Sequence, residues 1–259
     1  MKNDYKKIAN KVIELEIQGL RKLKRFINSS FNNAVEVIAN CQSKIIIAGV
    51  GKSGLIASKI ASTFSSVGTP AFSISASDCS HGDLGSITRK DVLILISNSG
   101  NSDELKNIIH YANRYKIKLI SIVSKKNSLL YKAADIKLLL PEVEEAGHGI
   151  VPTASTSVQL SIGDALAISL MNYKKFSKLD FKKFHPAGSL GKKLKTVEDL
   201  MLIKNKIPFI NENNSIRKGL NIINLKKLGV LVARNKKLIT TGIFTDGDIK
   251  RTVQKNVDI

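Results

Sequence analysis

The sequence predicts an α/β fold: a doubly wound, five-stranded parallel sheet flanked by helices, with a small α+β segment at the C-terminus. Three observations predict it. Five short apolar runs, 44–48, 71–75, 91–96, 118–123 and 136–140, alternate with stretches whose apolar residues repeat at helical spacing. Two of these runs, Ile45-Ile46-Ile47-Ala48 and Val92-Leu93-Ile94-Leu95-Ile96, show no polar alternation, as expected of strands covered on both faces. The loops richest in glycine, serine and histidine begin where runs end, and open parallel sheets bind ligands at that carboxyl edge.

Composition narrows the class. With 43% hydrophobic residues the chain can bury a substantial core. No apolar run approaches the ~20 residues that span a bilayer, and Met1-Lys2-Asn3-Asp4-Tyr5-Lys6-Lys7 leads into an amphipathic helix rather than a signal peptide. No membrane partner and a cytoplasmic location are therefore expected. The two cysteines, Cys41 and Cys79, have neither metal-like nor disulfide-like spacing, in keeping with a reducing compartment. A formal charge of +20 raises the question of nucleic acid. The lysines, however, come as scattered pairs, few aromatics are present to stack bases, and no reader motif occurs. Attraction of small anionic substrates is a sufficient reading, and drift in composition without function is another.

In chain order, two helical patterns come first, Ile8, Val12, Leu15 and Gly19, then Ala34, Val35, Ile38 and Ala39 with Asn32 or Asn33 as cap. Such stripes need a partner, which suggests packing or subunit-contact helices. The first strand runs into Gly49-Val50-Gly51-Lys52-Ser53-Gly54. This fits a dinucleotide glycine motif, but Phe72-Ser73-Ile74-Ser75 lacks the acidic residue that motif expects downstream. It also contains Gly-Lys-Ser, yet Ile46 stands where a P-loop requires glycine. What remains is a backbone that a ligand can approach, one cation at Lys52, and Ser53 as a helix cap.

Gly68-Thr69-Pro70 turns the chain into the second strand, and Ser80-His81-Gly82-Asp83-Leu84-Gly85-Ser86 follows it, too rich in glycine for regular structure. His81 sits among small residues and is free to act on a ligand. The third strand breaks into Ser97-Asn98-Ser99-Gly100-Asn101-Ser102, ahead of a helix marked by Leu105, Ile108, Ile109 and Ala112 that Ser102 or Asp103 can cap. Hydroxyls and amides converging on a helix N-terminus predict a phosphate cradle. After the fifth strand, Glu142, Glu144, Glu145 and His148 lie in a glycine-broken loop before a long helix through Leu160, Ala165, Leu166 and Ile168. They are candidates for proton transfer, or alternatively an acidic cap for that helix. His110 falls within a helix and reads as a surface or packing residue. In His185-Pro186 the proline fixes the backbone, which suits a presented imidazole.

Gly49-x-Gly51-Lys52-Ser53-Gly54, His81-Gly82-Asp83-Leu84-Gly85, Ser97-Asn98-Ser99-Gly100, Pro152-Thr153-x-Ser155-Thr156, Gly163-Asp164-Ala165-Leu166-Ala167 and His185-Pro186-x-Gly188-x-Leu190-Gly191 occur in one order. Together they resemble the sugar-isomerase (SIS) domain of arabinose-5-phosphate isomerases, over about residues 5–195. Beyond it, Val197-Glu198-Asp199-Leu200-Met201 and Gly242-Ile243-Phe244-Thr245-Asp246-Gly247-Asp248 resemble the first of that family's two cystathionine-β-synthase-type (CBS) repeats. The expected domains are thus 1–195 and 196–259, the second a single repeat.

The resemblance implies a flavodoxin-like sheet and interconversion of D-arabinose 5-phosphate with D-ribulose 5-phosphate, which supplies the octulosonate sugar (Kdo) of lipopolysaccharide. It implies a homotetramer and no cofactor. By position, the family's catalytic lysine, two glutamates and histidine correspond to Lys52, Glu104, Glu145 and His185. Substrate contacts are expected at Ser53, Gly68, Thr69, His81, Ser97, Ser99 and Ser102. Moving a carbonyl between C1 and C2 through a cis-enediol calls for a base and for a donor to the enediolate oxygen. Glu145 or His185 would move the proton, Lys52 and His81 would polarise substrate oxygens, and Glu104 would orient its neighbours. Ser75 stands where the family often has a histidine associated with zinc, and no metal is expected. The alternatives are an SIS isomerase of another phosphosugar and a non-catalytic sugar-phosphate-binding regulator. The regulator would be expected to carry a DNA-binding helix-turn-helix, for which the first 41 residues leave no room.

Overall fold

Every residue of β1 (Ile45–Gly49) and β3 (Val92–Ser97) is buried, as their unbroken apolar runs demand. With β2 (Ala71–Ser75), β4 (Lys118–Val123) and β5 (Ile136–Leu139) they form one sheet in the order β2-β1-β3-β4-β5, every neighbouring pair parallel. This is the doubly wound, flavodoxin-like arrangement. The computed structural model describes residues 4–185 and 195–254. The chain divides into two units, 1–194 and 195–259.

Among the described residues of the first unit the α-helices are α1 (Tyr5–Leu23), α2 (Ser29–Ala39), α3 (Lys52–Ser66), the single turn α4 (Ala76–Cys79), α5 (Glu104–Arg114), α6 (Leu129–Ala133), the single turn α7 (Ala146–Gly149), α8 (Ala154–Tyr173) and α9 (Lys178–Phe184). Strand residues alternate between two cores. Ile45, Ile47, Ile94, Ile96, Ile120 and Ile122 meet Ile38 of α2, Ile60 and Phe64 of α3, and Ile162 and Leu166 of α8. Ile46, Leu93, Leu95, Leu119 and Val123 meet Leu105, Ile108 and Ile109 of α5 and Leu130 of α6. Each such side chain contributes about 1.5–3 kcal/mol of burial, which fixes the sheet as the platform for the loops at its carboxyl edge.

Several expectations are revised. The cap of α2 is Asn28, whose side chain accepts from the Ser30 N–H at 2.9 Å, not Asn32 or Asn33, which lie inside the helix. The α2 stripe is spent on the core, through Phe31, Ala34, Val35 and Ile38. Helix α1 covers its stripe in part: Gly19 and Leu23 are buried and Val12 and Leu15 half-buried, whereas Ile8 is 58% exposed and Ile13, outside the stripe, 55%. The stretch before His185 forms α9, because Ser177 and Asp180 close a reciprocal capping box at its start. Asp91 lies just outside β3 with its side chain fully buried, held by Lys44 Nζ at 2.9 Å and by the Thr88 N–H at 2.6 Å.

The second unit has a three-stranded sheet, β6 (Phe209–Asn211), β7 (Val230–Arg234) and β8 (Thr240–Thr245), with β6 parallel and β8 antiparallel to the central β7. Helices Ile216–Lys226 and Asp246–Gln254 complete this α+β segment, in which Ile223 and Leu231 are buried. Among the described residues no helix is long and apolar enough to cross a membrane.

Candidate active site

From β1 the chain steps to β2 on one side, while β3 lies on the other, so a crevice opens between the carboxyl ends of β1 and β3. Register aligns its walls: Gly49 pairs with Ser75 and with Ile96. A Cβ on Gly49 would lie 2.8 Å from the Ser53 carbonyl carbon, so glycine lets the first turn of α3 press against the strand end. Lys52 and Ser53 are the first residues of that turn. Ser53 does not cap α3: its N-cap is Gly51, which makes no side-chain cap bond. Across the crevice, Asp103 precedes α5 and likewise makes no cap bond, while the Ser102 hydroxyl turns to Ser97 Oγ at 3.4 Å. Helices α2, α6 and α9, by contrast, are capped by Asn28, Ser128 and Ser177. Two helix N-termini without side-chain caps thus start at the crevice, an arrangement that favours an anion.

The loop between β3 and α5 is held rigidly. The buried Ser97 Oγ accepts from the Gly100 N–H at 3.0 Å, and Ser99 Oγ accepts from the Asn101 N–H at 3.3 Å. Asn98 Oδ1 accepts from Ser124 Oγ at 2.6 Å, and Asn101 Oδ1 from the Leu129 N–H at 2.8 Å. Gly100 adopts a φ of +67°, and a Cβ there would meet the Ser128 side chain and lie 2.6 Å from Val123 Cγ2. The serines of this loop are legible in the sequence. The role of the two asparagines, which brace the loop against β4 and α6, was missed, though their place within the motif was the available signal.

Glu145 reaches the same edge from beyond β5. Its Oε2 accepts from the Thr153 N–H at 2.9 Å and the Ser155 N–H at 3.3 Å, and lies 3.2 Å from Thr153 Oγ1. These amides belong to the start of α8, so the acidic-cap alternative is realised, and by Glu145 specifically. Burial pushes its pKa up, but the hydrogen bonds from Ser155 and Thr153 outweigh this and hold it below the usual glutamate value. Glu145 is therefore ionised at neutral pH. Glu142 is engaged elsewhere, 2.6 Å from Lys125 Nζ. Beyond Glu145 the backbone is left-handed at Gly147, His148 and Gly149, with φ of 58°, 63° and 78°. For a histidine that conformation costs about 1–2 kcal/mol.

Glu104, the first residue of α5, and His81 are exposed. They are neighbours through Ser80, whose Oγ accepts from Asn107 Nδ2, one turn along α5, at 2.9 Å. Ser75 caps the α4 turn, accepting from the Asp78 N–H at 3.3 Å. Buried Cys79 has its thiol pushed up to about 11, by burial first and then by Asp83 and Asp78. No cluster of three or more His, Cys, Asp or Glu side chains suited to a metal occurs among the described residues.

One chain does not bring the remaining expected residues to this crevice. Gly68 and Thr69 lie between α3 and β2, at the amino edge of the sheet. Thr69 is buried and accepts from Lys174 Nζ at 2.9 Å, and the Phe176 ring packs against Gly68. Phe184 stacks on Phe176 with ring centroids 5.9 Å apart, so His185, the next residue, belongs to that edge too. The reason is α8: its 20 residues carry the chain about 30 Å from Glu145 back to the amino edge. His185 is not freely presented, since its ring stacks on Phe181 at 3.8 Å and Nδ1 lies 2.9 Å from the Phe181 carbonyl oxygen. Pro186, Gly188, Leu190 and Gly191 lie outside the described residues.

Known proteins share this architecture. A family model described as "SIS domain" matches residues 38–169. "Arabinose 5-phosphate isomerase KdsD" of Yersinia pestis is 41% identical over 99% of this chain and 79% of its own length. "Uncharacterized protein RP505" of Rickettsia prowazekii is 39% identical over 99% of this chain and 81% of its own. Among solved structures, the c3406 protein of E. coli CFT073, in complex with arabinose 5-phosphate, superposes with a TM-score of 0.64 at 37% identity, covering 71% of this chain and 100% of that one.

Proposed function

Because the chain belongs to the SIS domain family, we propose that it is an aldose-ketose isomerase interconverting D-arabinose 5-phosphate and D-ribulose 5-phosphate. The observation that carries this reading is the placement, at one sheet edge, of a hydroxyl-lined loop between two helix N-termini without side-chain caps and of the ionised carboxylate of Glu145. The loop fits a phosphate, and fixing that end of an open-chain sugar holds its reacting carbons in place. Glu145 removes the proton next to the carbonyl, exchanges it with solvent while the enediol stands, and delivers a proton to the neighbouring carbon. Lys52 and His81 stabilise the enediolate oxygens, and Glu104 orients them. Relatives named as arabinose 5-phosphate isomerases, and a neighbour solved with arabinose 5-phosphate, support this substrate over other phosphosugars.

The site is read as shared between copies. His185, Gly68 and Thr69 lie at the edge opposite Glu145, so in a homotetramer the amino edge of one copy would complete the crevice of another. The open apolar face of α1, with Tyr5 72% exposed, supports association. Residues 196–259 are read as a CBS-type repeat and the protein as cytoplasmic, acting without a metal. Turnover of the purified chain tests the reaction, with D-glucose 6-phosphate as comparison and a chelator in one arm. Selective, chelator-resistant formation of ketose from D-arabinose 5-phosphate is expected; absence of that turnover overturns the reading.

A further inference from the structure

A cavity of about 200 Å³ lies between the first half of α1 and the loop 144–149. One wall is Ile8 and Leu15 with Lys11 beside them; the other is Glu144, Glu145 and His148. The loop is closed at its base, where Val151 N–H donates to the Ala146 carbonyl at 3.2 Å and Ala146 N–H donates to Thr153 Oγ1 at 3.0 Å. His148 stands at the tip, in a left-handed conformation that its glycine neighbours adopt freely and a histidine does not. Backbone strain of this kind persists where the surroundings enforce it, and active sites are where it collects. The same closure that makes Glu145 a cap thus sets an exposed imidazole on the wall of the cavity that Glu145 lines. No other imidazole among the described residues shares a loop with Glu145.

We propose that His148 is a further catalytic residue, the group that carries protons between the two substrate oxygens. The assignment rests on the isomerase reading above. As Glu145 takes the proton from C2 of the aldose, the C2–H electron pair becomes the C1=C2 bond. The carbonyl π pair moves to O1, which takes a proton from the His148 imidazolium. In the second half O2–H returns its proton to His148, C2=O2 forms, and the C1=C2 pair takes the proton held by Glu145 at C1. Protons and electrons balance, with no co-reactant. Lys11 from α1 and Glu144 and Glu145 from the loop are the charged groups lining the cavity with the imidazole.

His148→Gly tests this directly, because glycine removes the imidazole and relaxes the left-handed backbone, so the loop keeps its fold. The expected result is a kcat lower by about a hundredfold or more, with KM nearly unchanged and with free imidazole restoring part of the lost rate. His148→Asn, which tolerates the same backbone but cannot carry the proton, is expected to lose kcat equally. Wild-type turnover with His148→Gly equally active overturns the inference while leaving the isomerase reading intact. So does a loss that imidazole does not restore in a variant whose thermal melt is unchanged. Absence of wild-type turnover on D-arabinose 5-phosphate overturns both.

Discussion

Glu145 Oε2 sits 2.9 Å from the backbone nitrogen of Thr153, so the carboxylate assigned to proton transfer is also the anion that closes the N-terminus of α8. One side chain thereby couples stability to chemistry. Burial raises its pKa and the bonds from Ser155 and Thr153 lower it further, leaving it below the ordinary 4.5. A depressed folded-state pKa contributes stability that is complete above the unfolded value and is lost as pH falls through the folded one. Glu145→Gln is therefore expected to be less stable than wild type at pH 7 by about 1 kcal/mol, a modest figure because the group is partly solvated. The gap should close on acidification below about pH 4.3. Paired thermal melts across that range check it; a gap that persists in acid contradicts the capping role.

The serine loop makes two separable predictions. Ser99 is exposed and among the described residues its hydroxyl serves the neighbouring Asn101 N–H, so Ser99→Ala should raise KM for the phosphorylated sugar roughly tenfold, one charge-assisted hydrogen bond, with stability unchanged. Ser97→Ala should raise KM and also lower the melting temperature, since it strands the Gly100 N–H in a buried turn at a cost of about 1–3 kcal/mol. Steady-state kinetics beside melting curves separate the two. Unchanged KM in both would rule out the phosphate cradle.

Gly100→Ala forces a Cβ into the Ser128 side chain and Val123 at a φ that disfavours it. A loss of at least about 2 kcal/mol, or roughly 4–8 °C in Tm, is expected. A melt within a degree of wild type would show that the loop has room to shift, contrary to the bracing by Asn98 and Asn101.

If the crevice is completed by a second copy, two inactive variants should rescue each other. Lys52→Ala damages the carboxyl edge and His185→Ala the amino edge. Co-expressed, they form mixed assemblies in which an intact Lys52 can meet an intact His185, and activity should reappear well above either variant alone. Mixed assemblies that stay inactive would place all the residues within one chain and contradict the shared site.

How much of this was legible in the sequence follows from which interactions are local. Ile45-Ile46-Ile47-Ala48 and Val92–Ile96 announce fully covered strands because no polar residue interrupts them, and the switch-point loops follow from their order. The caps were less legible: Ser53 and Ser102 are good cap residues by type, but the chain starts each helix elsewhere, leaving them at the crevice. Helix α9 was hidden because none of its residues is buried, so it has no stripe; the Ser177-x-x-Asp180 spacing was its one signal. The division of the expected site was hidden for a different reason. Motifs read in order carry no sign of sheet edge, and it is the length of α8 that takes His185 to the far side from Glu145.

Everything proposed for this chain depends on a proton moved through an enediol held at the carboxyl edge of the sheet. Converting D-arabinose 5-phosphate in D2O and reading the products by proton NMR tests that step most directly. The expected products are D-ribulose 5-phosphate carrying deuterium at C1 and, as the reaction reverses, aldose carrying deuterium at C2, with both signals lost in Glu145→Gln. Conversion with no carbon-bound deuterium in either sugar, or labelling that survives in Glu145→Gln, would contradict it.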